Sequence, residues 1–222
     1  MPRRRIIIKK DITLSNESFL DKIDKIYFIN LENRKDRLNS ITNEIKKIDP
    51  KNIKTKRIEA VKKDVGAIGC GLSHIKALKD AIENNHNHII ILEDDFIFVK
   101  ELKEINNSIN YLFKYFEDYK ICLLSGNIYK ARKKKEIIWE ALEVQTTSGY
   151  IINSNFYQVL IDNFQSAINI MEKNYRYGQA EIDVQWKKLQ GREKKFYIFN
   201  PKLGKQLNGY SDIERRHVKY NC

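Results

Sequence analysis

The run His88-Ile89-Ile90-Ile91-Leu92, followed at once by Glu93-Asp94-Asp95, decides how the rest of the chain reads. Four consecutive branched apolar residues without polar alternation mark a strand covered on both faces, as in the parallel sheet of an α/β protein. A buried strand that ends in three carboxylates is unfavourable unless something answers their charge, because adjacent like charges repel and lose hydration together. In open α/β sheets the carboxyl ends of the strands line the ligand crevice. The triplet therefore reads in one of two ways. It is a set of hard oxygen ligands for Mg²⁺ or Mn²⁺, or a solvated junction between strand and turn.

Upstream of this run, residues 25–30 (KIYFIN) form another apolar, aromatic stretch that reads as a buried strand. Leu38, Ile41, Ile45 and Ile48 then recur at helical spacing, with Asn33 as the expected cap and Pro50 beyond the end. Residues 53–61 read as a second strand. Gly66-Ala-Ile-Gly69-Cys-Gly71 reads as a flexible loop leading into a helix that carries Leu72, Ile75, Leu78 and Ile82. Downstream, Phe96 and Phe98 continue the apolar pattern, and Leu102, Ile105, Ile109, Leu112 and Phe116 share a helical face. Residues 119–124 and 146–152 read as strands, 156–171 and 180–190 as helices, and 196–199 as a last strand. The basic run 131–135 interrupts the pattern as a mobile loop, and 202–222 is a polar tail. Strand alternates with helix through the first half. That predicts one α/β domain over residues 25–214, with a mixed, mostly parallel sheet flanked by helices. A basic arm (1–24) precedes it and a short tail (215–222) follows.

Composition narrows the class. With 222 residues, 42% hydrophobic and 32% charged, the chain has material for a real core and is not wholly disordered. A formal net charge of +12 favours phosphorylated or polyanionic partners and says nothing of the fold. Cys70, Cys122 and Cys222 are odd in number and far apart, which excludes a disulfide framework or a paired-cysteine zinc site and suits a reducing compartment. No apolar stretch approaches the ~20 residues that span a bilayer, and the run after Arg3–Arg5 stops at Ile8, too short for a signal peptide. The expected location is cytoplasmic, with at most peripheral contact between a basic surface and an anionic membrane.

Three further clusters bear on chemistry. The Gly66–Gly71 stretch is neither a dinucleotide fingerprint nor a P-loop. Its position before a helix still offers free N–H donors to phosphate or sugar oxygens; otherwise it is an ordinary turn. Arg34 and Arg37, three apart, could fork onto a diphosphate or be a solvated helix start. Cys70 and His74 could be half of a metal site, but with no second pair His74 reads as a buried, hydrogen-bonded histidine. His86 and His88 read as structural, and His217 has no assignment. Arg3–Arg5 and Arg132–Lys135 are the features that would suit nucleic acid. Neither is interleaved with stacking aromatics and no nucleic-acid motif is present, so no nucleic-acid partner is expected.

Taken together, these pieces resemble glycosyltransferase family 25, which contains bacterial lipopolysaccharide galactosyltransferases and procollagen galactosyltransferases. The stretches that carry the resemblance are IYFINLENRKDR (26–37), GAIGCGLSH (66–74), IILEDD (90–95), TTSGYIINSNF (146–156), EIDVQW (181–186) and the segment 201–213 with Gln206, Ser211, Asp212 and Ile213. They occur in the family's order over residues 25–214. The resemblance implies a GT-A fold, a UDP-sugar donor with galactose favoured and glucose second, Mn²⁺ or Mg²⁺, and inversion at the transferred sugar. It implies that Glu93, Asp94 and Asp95 act as the acidic metal motif, with Asp95, and Asp94 beside it, on the metal. Asn30, Arg34 and Arg37 would hold the nucleotide, and Gly69, Ser73 and His74 would line the donor pocket with Glu93 and Asp94. An inverting transfer needs one carboxylate to take the acceptor proton. Asp183 is the candidate, with Glu181 in reserve; the alternative for Asp183 is a plain helix cap. The acceptor stays open: lipid-linked sugar, polysaccharide or protein hydroxyl. Two other functions compete, a GT-A-fold binding protein that has lost catalysis and a basic nucleic-acid-binding module. The intact acidic triplet speaks against the first.

Overall fold

The computed structural model describes residues 17–176, 178–213 and 216–219. The chain runs β1 (Lys25–Asn30), α1 (Lys35–Lys46), β2 (Thr55–Glu59), α2 (Gly66–Glu83), β3 (His88–Glu93), β4 (Phe96–Phe98), α3 (Leu102–Tyr115) and β5 (Ile121–Leu123). It continues with β6 (Asn127–Lys133), β7 (Ile138–Gln145), β8 (Gly149–Asn153), α4 (Tyr157–Asn174), α5 (Ile182–Glu193) and β9 (Phe196–Phe199). Three short strands close it: β10 (Gly204–Gln206), β11 (Gly209–Ser211) and β12 (Arg216–Val218).

Eight strands form one sheet in the order β2-β1-β3-β8-β5-β9-β7-β6. β2, β1, β3, β5, β9 and β6 point one way; β8 and β7 run against them. The sheet is therefore mixed and mostly parallel, as the alternation predicts. β3 lies inside it, between β1 and β8, which is why its apolar run needs no polar face. Side chains alternate along a strand, and β3 obeys this. Ile89 and Ile91 pack into a core with α2, α4 and α5. Ile90 and Leu92 pack into the opposite core with α1 and α3. The molecule is a three-layer sandwich whose middle layer delivers the ends of β1 and β3 to one edge.

Four expectations need correction. Gly66–Gly71 is not a loop but the opening turns of α2. The glycines serve close packing: a Cβ on Gly69 would lie 2.3 Å from the Val61 carbonyl oxygen. The basic run 131–135 is largely β6, paired with β7, and Arg132 holds the buried Glu140 carboxylate through Nε at 2.9 Å. The tail is built in: β10 pairs with β4, and β11 pairs with β12, formed by residues 216–218. The fold also reaches back into the expected arm. A short 3₁₀ turn at Phe19–Lys22 places Phe19 and Ile23 in the α1–α3 core. Arg3–Arg5 and Cys222 lie outside the described residues. A smaller correction concerns α1, whose cap is Arg34 rather than Asn33. Among the described residues no helix is long and apolar enough to cross a membrane.

Candidate active site

The parallel register sets Ile29 of β1 beside Glu93 of β3, so Asn30 emerges next to Asp94. The Asn30 amide nitrogen donates to Asp94 Oδ2 at 2.8 Å. Arg37, in the first turn of α1, reaches back over both strand ends. Its Nη1 lies 2.9 Å from Asp94 Oδ1 and 3.2 Å from Asp95 Oδ2, and its Nη2 donates to the Tyr210 carbonyl at 2.6 Å. Asp95 is held further by β10 and the residue after it, through the Gln206 amide at 3.4 Å and the Leu207 N–H on its carbonyl at 2.7 Å. One guanidinium thus faces two buried carboxylates, and Glu93 stands beside them. Burial and the charges of Glu93 and Asp94 push the Asp95 carboxyl up to about 7, with Arg37 and Gln206 opposing. Burial also raises Asp94, against Arg37 and Asn30.

These side chains line a cleft of about 340 Å³, together with Lys62 and Lys63 from the carboxyl end of β2. The donor set suits a hard divalent cation: carboxylate oxygens of Asp94 and Asp95 with surplus negative charge. Asn30 Oδ1, which belongs to the same wall, is buried without a hydrogen-bond partner, an acceptor left for a ligand's donor.

A second cleft, about 380 Å³, adjoins the first, and both are lined by Cys70, Glu93 and Gln206. It contains Glu181 and Asp183, at the start of α5, with Gln145 and Thr147. Burial pushes the Asp183 carboxyl up to about 6; Gln145 opposes by hydrogen bonding, while Glu93 and Glu181 add to the rise. The Glu181 carboxylate is occupied locally. It accepts from Gly178 N at 2.7 Å, Ala180 N at 3.2 Å and Tyr175 Oη at 3.2 Å, closing the turn before α5.

The structure thus brings Asn30, Arg37, Glu93, Asp94 and Asp95 together and sets Asp183 next door. Ser73 also lines the first cleft, and each of the remaining expected site residues has further partners. Ser73 donates to the Gly69 carbonyl at 2.7 Å and accepts from Val61 N–H at 2.8 Å, tying α2 to the segment after β2. Gly69 lines the first cleft but serves that same close contact. His74 is fully buried, as a hydrogen-bonded histidine should be. Its Nδ1 meets Tyr150 Oη at 2.9 Å and its Nε2 meets Glu93 Oε1 at 3.2 Å. Burial pushes Glu93 up, but hydrogen bonds from His74 and Thr147 hold it below the usual carboxylate range. Cys70 completes a trio with them, its sulfur within 4.8 Å of the His74 and Glu93 ligand atoms. Arg34 is not among the residues lining either cleft. It grips Asp36, through Nε at 3.0 Å, and Asp212. Lys62, Lys63 and Gln145 were not singled out from the sequence; the signal for the lysines is their place just past β2.

The sequence model described as Glycosyltransferase family 25 (LPS biosynthesis protein) matches residues 64–177, half of the chain. The chain belongs to glycosyltransferase family 25. In this family 25 glycosyltransferase the matched span carries α2 and the acidic triplet, while Asn30, Arg37 and Asp183 fall outside it. No curated protein matches the chain. Among solved structures, a glycosyltransferase involved in the glycosylation of the major capsid of PBCV-1 superposes with a TM-score of 0.53 at 4% identity, over 78% of this chain and 80% of that one. A197 from STIV gives 0.46 at 12% identity over 90% and 95%, and an apo UDP-glucose pyrophosphorylase 0.47 at 11% over 79% and 73%. At 4% identity the first likeness is one of fold, and it agrees with the GT-A-like class expected from the sequence.

Proposed function

We propose that this glycosyltransferase moves a hexose, galactose before glucose, from a UDP-sugar to an acceptor hydroxyl with inversion. The observation that carries the reading is the meeting of two clefts at Glu93, one with an acidic pair facing Arg37 and the other with the Asp183 carboxylate at the start of α5. In the first cleft Asn30 and Arg37 hold the nucleotide end of the donor, and Lys62 and Lys63 add positive charge for the diphosphate. Asp95 and Asp94 are the residues to hold Mn²⁺ or Mg²⁺. Such a cation supplies Lewis-acid stabilisation to the departing diphosphate. Glu93, fixed by His74 and Thr147, lies between the two substrates. Asp183 takes the proton of the acceptor hydroxyl as it attacks, and a base whose pKa lies near the working pH suits that task. Glu181, committed to its turn, keeps the α5 start in place.

The test is a donor screen with Mn²⁺ present, reading release of nucleoside diphosphate from UDP-galactose, UDP-glucose and non-uridine sugar nucleotides. Release from UDP-hexoses above the others supports the reading. Release from none of them, or preference for another base, overturns it.

A further inference from the structure

The second cleft has a wall that the donor chemistry does not use, and it is built around Tyr129. Along β6, Ile128 pairs with Val144 and Lys130 with Glu143, so Tyr129 has no partner across the ladder. It is the extra residue of a bulge. β7 compensates at Leu142, and pairing resumes at Ala131 and Ala141. The usual in-and-out alternation is lost here, and Ile128, Tyr129 and Lys130 are all exposed. Bulges re-aim side chains and gather next to active sites.

The bulge sends Tyr129 to the cleft that holds Asp183. A solitary exposed tyrosine needs no explanation, but this one is fixed in place. Although 65% exposed, its ring has the Lys187 ammonium 5.4 Å from its centroid, a cation–π contact. Lys187 also donates to Gln145 Oε1 at 3.1 Å, and Gln145 lines the cleft with Asp183, whose carboxyl it holds down. The ring is therefore coupled to the carboxylate through two side chains. The next residue, Thr146, has φ +103°, a left-handed conformation that a β-branched residue adopts only when its surroundings impose it. Its hydroxyl is held by Gln206 Oε1 at 2.7 Å. That turn carries Gln145, Thr146 and Thr147 together onto the cleft.

We propose that Tyr129 is the stacking platform for a saccharide ring of the acceptor and sets which acceptor is used. This rests on the reading of Asp183 as the base. A pyranose offers a flat C–H face to an aromatic ring and a rim of hydroxyls to amides and hydroxyls. Tyr129 supplies the ring; Asn127, Gln145 and Thr147 supply the polar partners. The volume lies in the ~300–1,000 Å³ range of small-ligand clefts.

The experiment applies labelled protein, with UDP and Mn²⁺, to an immobilised saccharide array and a hydroxylysine- and serine-containing peptide array. Wild type should be retained by a subset of saccharides, as should Tyr129→Phe and Tyr129→Trp. Tyr129→Ala should lose at least tenfold of that retention, and so should Tyr129→Leu, which keeps the bulk if the alanine variant melts early. Equal retention of the non-aromatic variants, retention on peptides alone, or no retention of wild type by any saccharide overturns the proposal. Calorimetric titration of UDP into wild type separates the two readings. UDP binding without saccharide retention removes the platform and keeps the donor site; absence of UDP binding removes the donor site itself.

Discussion

The two clefts answer their carboxylates with different partners. In the first, Asp94 and Asp95 face Arg37 at 2.9 and 3.2 Å. In the second, Asp183 is answered chiefly by a neutral amide, while Glu93 and Glu181 add to its burden. Burial lifts carboxyls in both clefts, Asp95 to about 7 despite Arg37 and Asp183 to about 6, so the clefts differ in the partner that answers the charge and not in the direction of the shift. Chain position contributes to the contrast. Asp94 and Asp95 follow an interior strand that runs straight to the edge where α1 begins, so an arginine in the first turn of α1 reaches them. Asp183 opens α5 on the other face of the sheet, beyond that arginine.

The largest effect should come from breaking the first cleft. Asp95→Asn keeps the shape and removes a ligand charge. Transfer with Mn²⁺ should fall by roughly three orders of magnitude, the scale of several kcal/mol of transition-state stabilisation. UDP should raise the melting temperature of the wild type when Mn²⁺ is present and do so much less in excess EDTA, because ligand and cation stabilise the native state together. In the variant the Mn²⁺-dependent part should vanish. Equal stabilisation by UDP with and without EDTA in the wild type would remove the metal role.

Breaking the second cleft should affect turnover and spare the donor. Asp183→Asn is expected to lower the rate by ~10²-fold or more, in the range for general bases, with UDP affinity within about threefold of wild type by calorimetry. A plain helix cap would give the opposite pattern: a drop in melting temperature and near-normal turnover.

The pH dependence sharpens the same contrast with a smaller effect. With the Asp183 carboxyl at about 6, the rate should fall on an acid limb centred near pH 6. That amounts to about tenfold per unit well below it, and the component centred near pH 6 should disappear in Asp183→Asn, leaving the part set by Asp95 at about 7. Stability should move the other way. A carboxyl raised above its unfolded value binds its proton more tightly in the native state, so its contribution grows as pH falls from about 6 toward about 4. Denaturant midpoints of wild type minus Asp183→Asn should show that trend. A flat difference would mean that Asp183 titrates normally.

What the sequence disclosed and what it hid follow from the range of the interactions. β3 was legible because burial on both faces leaves an unbroken apolar run, and the end of such a strand is where ligands gather. The acidic triplet is marked by its place at a strand end, whereas Asn30 and Arg37 join it only through what the family likeness implies. Gly66–Gly71 was misread because glycines usually punctuate. Here Gly69 admits the Val61 carbonyl, a contact made by the approach of a separate segment. The 131–135 run reads as a loop because its charges hide a ladder whose partner, Glu140, lies across a hairpin. The bulge at Tyr129 is a matter of register, which composition does not encode. Asp183 is marked through the family likeness, but its raised pKa comes first from burial and then from the charge of Glu93, which is remote in sequence.

The smallest expected effect tests Arg34, which the family likeness sets beside Arg37 as a nucleotide ligand. The structure gives it two carboxylate partners: Asp36 two residues on, and Asp212 from the segment after β11. Both lie toward solvent, with the Asp36 side chain 66% exposed, and pairs of that kind contribute ~0.2–1 kcal/mol. Arg34→Ala should therefore lower the melting temperature by only a few degrees and change UDP affinity less than about threefold. Arg37→Ala should weaken UDP by tenfold or more and cost more stability, since it leaves Asp94 and Asp95 buried without their cation. Arg34 can reach a diphosphate only by releasing Asp212, and a loss of UDP affinity in Arg34→Ala as large as that in Arg37→Ala would show that it does. Asp212→Asn then separates the cases. If Arg34 is a brace, the variant mimics Arg34→Ala in stability and leaves UDP affinity alone; if Arg34 is a phosphate ligand, freeing it tightens UDP.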